Sequence, residues 1–147
     1  MTRRIYLASS WRNAYQPGIV VKLRAAGHEV YDFRNPAPGD NGFHWSEIDP
    51  SWKHWGRGDY RAALKHPIAK RCFASDWEAM QWADTGVLLL PCGRSAHLEA
   101  GYFAGAGKSL HILLYGELEP ELMYKMADSV CLELPELLTV LAEPAHA

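Results

Sequence analysis

Apolar positions along this chain fall into short extended runs and helical stripes that take turns. Arg4-Ile5-Tyr6-Leu7-Ala8-Ser9 is apolar with no helical period and reads as a first strand. Pro17 suits the first turn of a helix, and Ile19, Val20, Leu23 and Ala26 follow at helical spacing until Gly27 stops it. His28-Glu29-Val30-Tyr31-Asp32-Phe33 reads as a second strand, so the opening is a βαβ unit with parallel strands. Beyond an irregular stretch, helices are expected over 59–66 and 67–83. On the second of these, Ala69, Phe73, Met80 and Ala83 form an apolar stripe that also contains Asp76. Residues 85–90 are nearly all apolar, the pattern of a central strand covered on both faces. Ser95 is placed to cap a helix over 96–106, and Gly107 to end it. A fourth strand over 109–114, a helix over 121–127, a fifth strand over 130–132 and a helix over 135–142 complete the alternation. The pattern predicts one α/β domain over 1–147, a doubly wound sheet of about five parallel strands with helices on both faces.

The irregular stretch from Arg34 to Gly58 is too long for an ordinary connection and carries Pro36, Pro38, Gly39, Gly42, Pro50 and Gly56. Three of the six tryptophans, Trp45, Trp52 and Trp55, lie in it. Two readings stay open: a satellite core that pins the insertion, or a lid that stacks on a ligand and excludes water.

Composition narrows the function. The 147 residues are 48% hydrophobic and 22% charged with net charge −2, a globular balance that excludes a disordered tail or a coiled coil. No apolar run approaches the roughly 20 residues of a membrane span, and the apolar stretch near the N-terminus is too short for a signal peptide. Lys and Arg are spread along the chain, which predicts no nucleic-acid partner. Cys72, Cys92 and Cys131 form no CxxC pair, and no nearby base singles out Cys92 as a nucleophile. The seven His form no HxxxH or HxH pair. A cytosolic protein with reduced thiols and no metal is expected.

In such sheets ligands sit beyond the carboxyl ends of the strands, which ranks the loops. The segment Gly93-Arg94-Ser95-Ala96-His97-Leu98-Glu99 follows the central strand and opens a helix. With the helix starting at Ala96, Glu99 falls in its first turn, where it either complements the dipole or serves as a nucleophile. Asp76, on an apolar stripe, is either a general acid whose burial raises its pKa or a backbone cap. Ser9, Ser10, Trp11 and Arg12 after the first strand form a candidate phosphate or sugar cradle, and Arg34 follows the second strand at the same mouth.

These segments resemble the nucleoside 2-deoxyribosyltransferase superfamily, including its deoxynucleoside 5′-monophosphate N-glycosidases. Ile5-Tyr6-Leu7-Ala8-Ser9-Ser10-Trp11-Arg12 is similar to the first strand and substrate loop. Asp76 with Trp82-Ala83-Asp84 resembles the aspartate region. The run from Gly93 through Glu99-Ala100-Gly101-Tyr102 to Gly107-Lys108 resembles the glutamate signature. Gly93 stands where the transferases carry an additional Asp. The resemblance implies a flavodoxin-like or Rossmann-like sheet and cleavage or exchange of an N-glycosidic bond. Glu99 would be the nucleophile, and Asp76 would assist departure of the base. Ser10 and Arg12 would hold the 5′ end of the sugar or a 5′-phosphate, and Ser9, Trp11, Arg34, Gly93, Arg94 and Ser95, which line the same mouth by position, are the further candidates for binding a nucleoside or nucleotide. It also implies no cofactor, and a homodimer or larger assembly. The alternative is a non-catalytic nucleotide-sensing module on the same scaffold.

Overall fold

The computed structural model describes residues 1–116 and 118–145. Its contacts gather into two compact units, Met1–Asp32 with Met80–Ala147, and Phe33–Ala79.

The first unit holds five parallel strands: β1 Arg4–Ala8, β2 Glu29–Tyr31, β3 Thr85–Leu89, β4 Ser109–Leu113 and β5 Ser129–Cys131, in the order β2-β1-β3-β4-β5. The order reverses beside β1, so the crevice where the chain switches direction lies at the carboxyl ends of β1 and β3. Strand alternation divides the side chains between two faces. Ile5, Leu7, Val87, Leu89, Leu113 and Cys131 build one core with Ile19, Val20 and Leu23 of α1 (Gln16–Ala25) and Leu137 and Leu141 of α5 (Leu134–Leu141). Tyr6, the odd residue between Ile5 and Leu7, belongs to the opposite face, against α4 (Arg94–Gly105).

On that face the packing turns on a missing side chain. Tyr6 pairs in register with Tyr31 on one side and Gly86 on the other. A Cβ on Gly86 would stand 2.7 Å from the Phe103 ring, so only glycine lets α4 lie this close to β3. Phe103, fully buried, tilts against Tyr6 with ring centroids 5.9 Å apart, and Tyr31 stacks on Tyr6 at 5.3 Å.

Two cations close the opposite end of the sheet. Arg3 is 2% exposed, and its guanidinium donates to the carbonyls of Val140, Leu141 and Glu143 and to Thr85 Oγ1. It thereby satisfies the carbonyls that α5 leaves unpaired at its C-terminus. Lys108 Nζ does the same for α3 (Pro67–Trp82), donating to the carbonyls of Met80, Gln81 and Ala83 at 2.9, 2.8 and 2.6 Å.

Four expectations change. The helix expected over 96–106 begins at Arg94 with Gly93 as N-cap, and Ser95 caps nothing. Glu99 therefore lies in the second turn, beyond the reach of a strong dipole effect. The segment expected as a helix over 121–127 is a 3-10 turn, Leu122–Met126. Leu122, Met123 and Met126 are exposed there, so no buried apolar face stabilises a full α-turn. On α3, Phe73 is 62% exposed and stacks beside Trp77 rather than joining the apolar stripe. The inward face runs instead through Ala69, Cys72, Asp76, Ala79 and Met80, where small residues take the contact positions.

The second unit holds 3-10 turns at Trp45–Glu47 and Trp52–His54, the helix α2 (Arg57–Ala63) and most of α3. Its aromatic residues pack on one another: Trp45 meets Phe43, Trp55 and Tyr60 edge-on at 4.6, 5.7 and 5.9 Å. The Trp55 indole N–H donates to Asp49 Oδ2 at 2.8 Å. Trp52 lies at the surface with Lys53 Nζ 5.6 Å from its ring centre.

Gly86→Ala is expected to cost about 1–3 kcal/mol through overpacking, lowering Tm in a calorimetric scan, and Phe103→Leu in the same chain should recover part of it. A second expectation concerns pH. The Arg3 backbone N–H donates to His28 Nδ1, and burial, with the Arg3 charge second, holds His28 below its ordinary pKa. The unfolded chain then binds a proton that the folded chain refuses. Stability is complete above about pH 6.5 and falls as pH drops below it. His28→Gln, which keeps an acceptor, should flatten this slope in urea titrations at pH 5–7.

Candidate active site

Two loops of the first unit meet at the switch crevice. Ser9 Oγ donates to the Leu89 carbonyl at 3.1 Å, tying the end of β1 to the end of β3. Asn13, 2% exposed, donates from Nδ2 to the Pro91 carbonyl and accepts the Tyr15 N–H at Oδ1. Ser10 Oγ accepts the Arg12 N–H, so the turn between them is built by its own side chains. Tyr15 stands edge-on to Tyr115, which follows β4, at 5.0 Å.

Glu99 lies on the sheet-facing stripe of α4, one turn before Phe103, between Ala96 and Ala100. A carboxylate placed there is costly without a donor. The Tyr6 hydroxyl supplies one, donating to Glu99 Oε2. With Tyr31 stacked on its ring and Phe103 tilted against it, the phenol fixes both the position and the orientation of the carboxylate.

Beside this pair is a cluster that sequence reasoning missed. Cys92 Sγ lies 3.8 Å from His97 Nδ1, a neighbour that sequence spacing did not mark. The geometry does not activate the thiol. His97 Nδ1 lies 2.7 Å from the Gly93 carbonyl, and Nε2 lies 2.8 Å from the Tyr124 hydroxyl. These partners suit the tautomer in which Nδ1 donates to Gly93 and Nε2 accepts from Tyr124. Burial, then the charge of Glu99, push the Cys92 thiol up to about 12. It stays protonated and is a poor nucleophile. The Gly93 carbonyl also accepts the His97 backbone N–H at 3.4 Å, so backbone and side chain of one residue both close the first turn of α4.

Of the residues singled out in the sequence, the first unit brings together Ser9, Ser10, Trp11, Arg12, Gly93, Arg94, Ser95 and Glu99 on the loops and helix beyond β1 and β3. Arg12 and Arg94 are exposed, and among the described residues their guanidinium groups make no hydrogen bond or ion pair. Asp76, Arg34, Trp45, Trp52 and Trp55 belong to the second unit. Asp76 is half-buried on α3. Tyr6 had a signal: it is the one side chain with a polar tip inside an apolar strand, at the position opposite in phase to Ile5 and Leu7. Among the described residues no group of three or more His, Cys, Asp and Glu could hold a metal ion, and no helix is long and apolar enough to cross a membrane.

No family model and no curated protein matches the chain. Solved structures do. A 2-deoxyribosyltransferase from the psychrotolerant bacterium Bacillus psychrosaccharolyticus is similar with a TM-score of 0.56 at 20% identity, over 94% of this chain and 90% of that one. The CMP N-glycosidase BcmB of Clostridium botulinum is similar with a TM-score of 0.52 at 14% identity, over 97% of this chain and 100% of that one. At these identities the likeness establishes the shared α/β fold.

The Tyr6–Glu99 bond can be weighed before any activity is known. A double-mutant cycle of Tyr6→Phe and Glu99→Ala in urea unfolding should give a coupling of about 1.5–3 kcal/mol, the range for a hydrogen bond to a charged group. Additive effects would show that the phenol contributes packing alone.

Proposed function

We propose that this protein cleaves or exchanges the N-glycosidic bond of a (deoxy)nucleoside or nucleoside 5′-monophosphate, with Glu99 as the nucleophile. The observation that carries this reading is a carboxylate held by the Tyr6 phenol on a helix beyond the carboxyl ends of β1 and β3, where an α/β sheet of this order takes its ligand. The names of the two structural neighbours, a deoxyribosyltransferase and a CMP N-glycosidase, support the same class of reaction.

In the proposed first step a Glu99 carboxylate oxygen forms a bond to the anomeric carbon as the C–N bond breaks. The bonding pair leaves with the base, and Asp76 gives that base a proton. Tyr6 limits how far the carboxylate can swing, which keeps its attacking oxygen near the line of displacement. Water then gives a proton to the Asp76 carboxylate as it attacks the anomeric carbon, which returns Glu99 as carboxylate, restores Asp76 as the acid and releases the free sugar. A second base in place of water yields a new nucleoside. Two displacements at one carbon retain the anomeric configuration.

Arg12 and Arg94 supply guanidinium groups for a 5′-phosphate, which Arg can grip through two parallel N–H donors. Ser9, Ser10, Gly93 and Ser95 shape the sugar pocket, and Trp11 and Arg34 contribute to substrate binding. Trp45, Trp52 and Trp55 would act as a lid over the base. The protein would work in the cytosol as a homodimer or larger assembly, without a metal or organic cofactor.

A panel of nucleosides and 5′-monophosphates, with free base measured by chromatography, tests the reading. Glu99→Ala should lower base release about 10³-fold or more, and Asp76→Asn should slow it most on the poorest leaving groups. A 2-fluoro-2-deoxyriboside should add its sugar mass to the Glu99 peptide of the wild type alone. Base release undiminished in Glu99→Ala would overturn the assignment.

A further inference from the structure

The second unit carries a concentration of positive charge that the proposed chemistry does not use. From Lys53 to Arg71 the chain has six Lys and Arg and a single acid, Asp59, although its net charge is −2. Asp59 offsets part of that charge, and its Oδ2 accepts the Gly56 N–H at 2.9 Å, closing the start of α2. Arg57 and Arg61 are one turn apart on α2 and share a face. Together with Gly58 they line a cavity of about 510 Å³. Among the described residues neither guanidinium makes a hydrogen bond or ion pair. Gly58, between them in sequence, would meet nothing within 4 Å if it carried a Cβ, so this wall is bare backbone beside open space.

Two unpaired guanidinium groups on one concave wall repel each other and leave ten N–H donors without protein acceptors. A doubly charged oxyanion relieves both conditions, and the planar fork of Arg matches phosphate in a way Lys does not. The volume lies within the roughly 300–1,000 Å³ of small-molecule sites. We propose that Arg57 and Arg61 form a binding site for a phosphate-bearing small molecule of mononucleotide size. The site belongs to the second unit and does not depend on Glu99 or on the reaction assigned to it.

Calorimetric titration of the full chain in the Glu99→Ala/Arg12→Gln/Arg94→Gln background, which removes the guanidinium groups assigned to the substrate's 5′-phosphate, tests this with inorganic phosphate, adenosine 5′-monophosphate and adenosine as probes. Arg57→Gln/Arg61→Gln should weaken phosphate and monophosphate binding about tenfold or more. Gly58→Leu should do the same by filling the cavity while both arginines remain. It meets no protein atom at Cβ, so it carries the test if the double variant unfolds. Monophosphate binding tighter than phosphate identifies a nucleotide as the ligand, and equal affinity identifies free phosphate; both support the site. Unchanged isotherms in the Arg57/Arg61 and Gly58 variants would overturn it, as would the absence of saturable binding of either anion to the parent. Preference for a single-stranded oligonucleotide over both anions would also overturn it. Loss of base release in Glu99→Ala bears on the catalytic proposal alone and leaves this result standing.

Discussion

The candidate site depends on keeping a carboxylate on the inward face of a helix without leaving it unpaired. Glu99 shares the α4 stripe with Ala96, Ala100 and Phe103, positions that otherwise bury apolar surface. The Tyr6 hydroxyl makes this tolerable. The phenol is useful because its ring cannot wander, with Tyr31 stacked on one side and Phe103 tilted against it. Phe103 in turn reaches Tyr6 only because Gly86 has no side chain. Five positions on three strands and one helix thus act as a unit, and the backbone approach at Gly86 sets the height of the carboxylate above the sheet.

Around that unit the loops are held by side chains more than by regular structure. Ser9 and Asn13 join the β1 loop to the β3 loop. His97 closes the first turn of α4 onto Gly93 and holds Tyr124 at its other nitrogen. The crevice is therefore shaped before any ligand arrives, the condition under which binding energy goes into orientation rather than into ordering the protein.

Much of this was legible in the sequence, for identifiable reasons. Strand and helix positions followed from periodicity because β1, β3 and β4 are almost wholly buried on both faces and read as short, mostly apolar runs. The loops bearing Ser9, Arg12 and Arg94 followed from the rule about carboxyl ends. What escaped depended on partners distant in the chain. The Tyr6–Glu99 bond spans 93 residues, and that of His97 with Tyr124 spans 27. The parallel register that sets Tyr6 beside Gly86 has no trace in local spacing. Phe73 was misjudged because size was read as burial, whereas the contact face of α3 is made of Cys, Ala and Asp. The turn that holds Glu99 was misjudged because Ser95 is a better cap by type than Gly93, yet the helix begins at Arg94 with Gly93 as N-cap and no side chain caps it.

Arg3 has a consequence for how the chain folds. Its guanidinium finds its acceptors on Thr85 and on the carbonyls of residues 140, 141 and 143, up to 140 positions away. During folding this cation stays hydrated until α5 has docked. Only then can it exchange water for the carbonyls at the end of α5. Closing so long a loop is slow relative to local helix formation. The base of the sheet is thus the last part to seal, and a chain whose α5 has not docked still presents a solvated arginine where a finished one has a buried clasp.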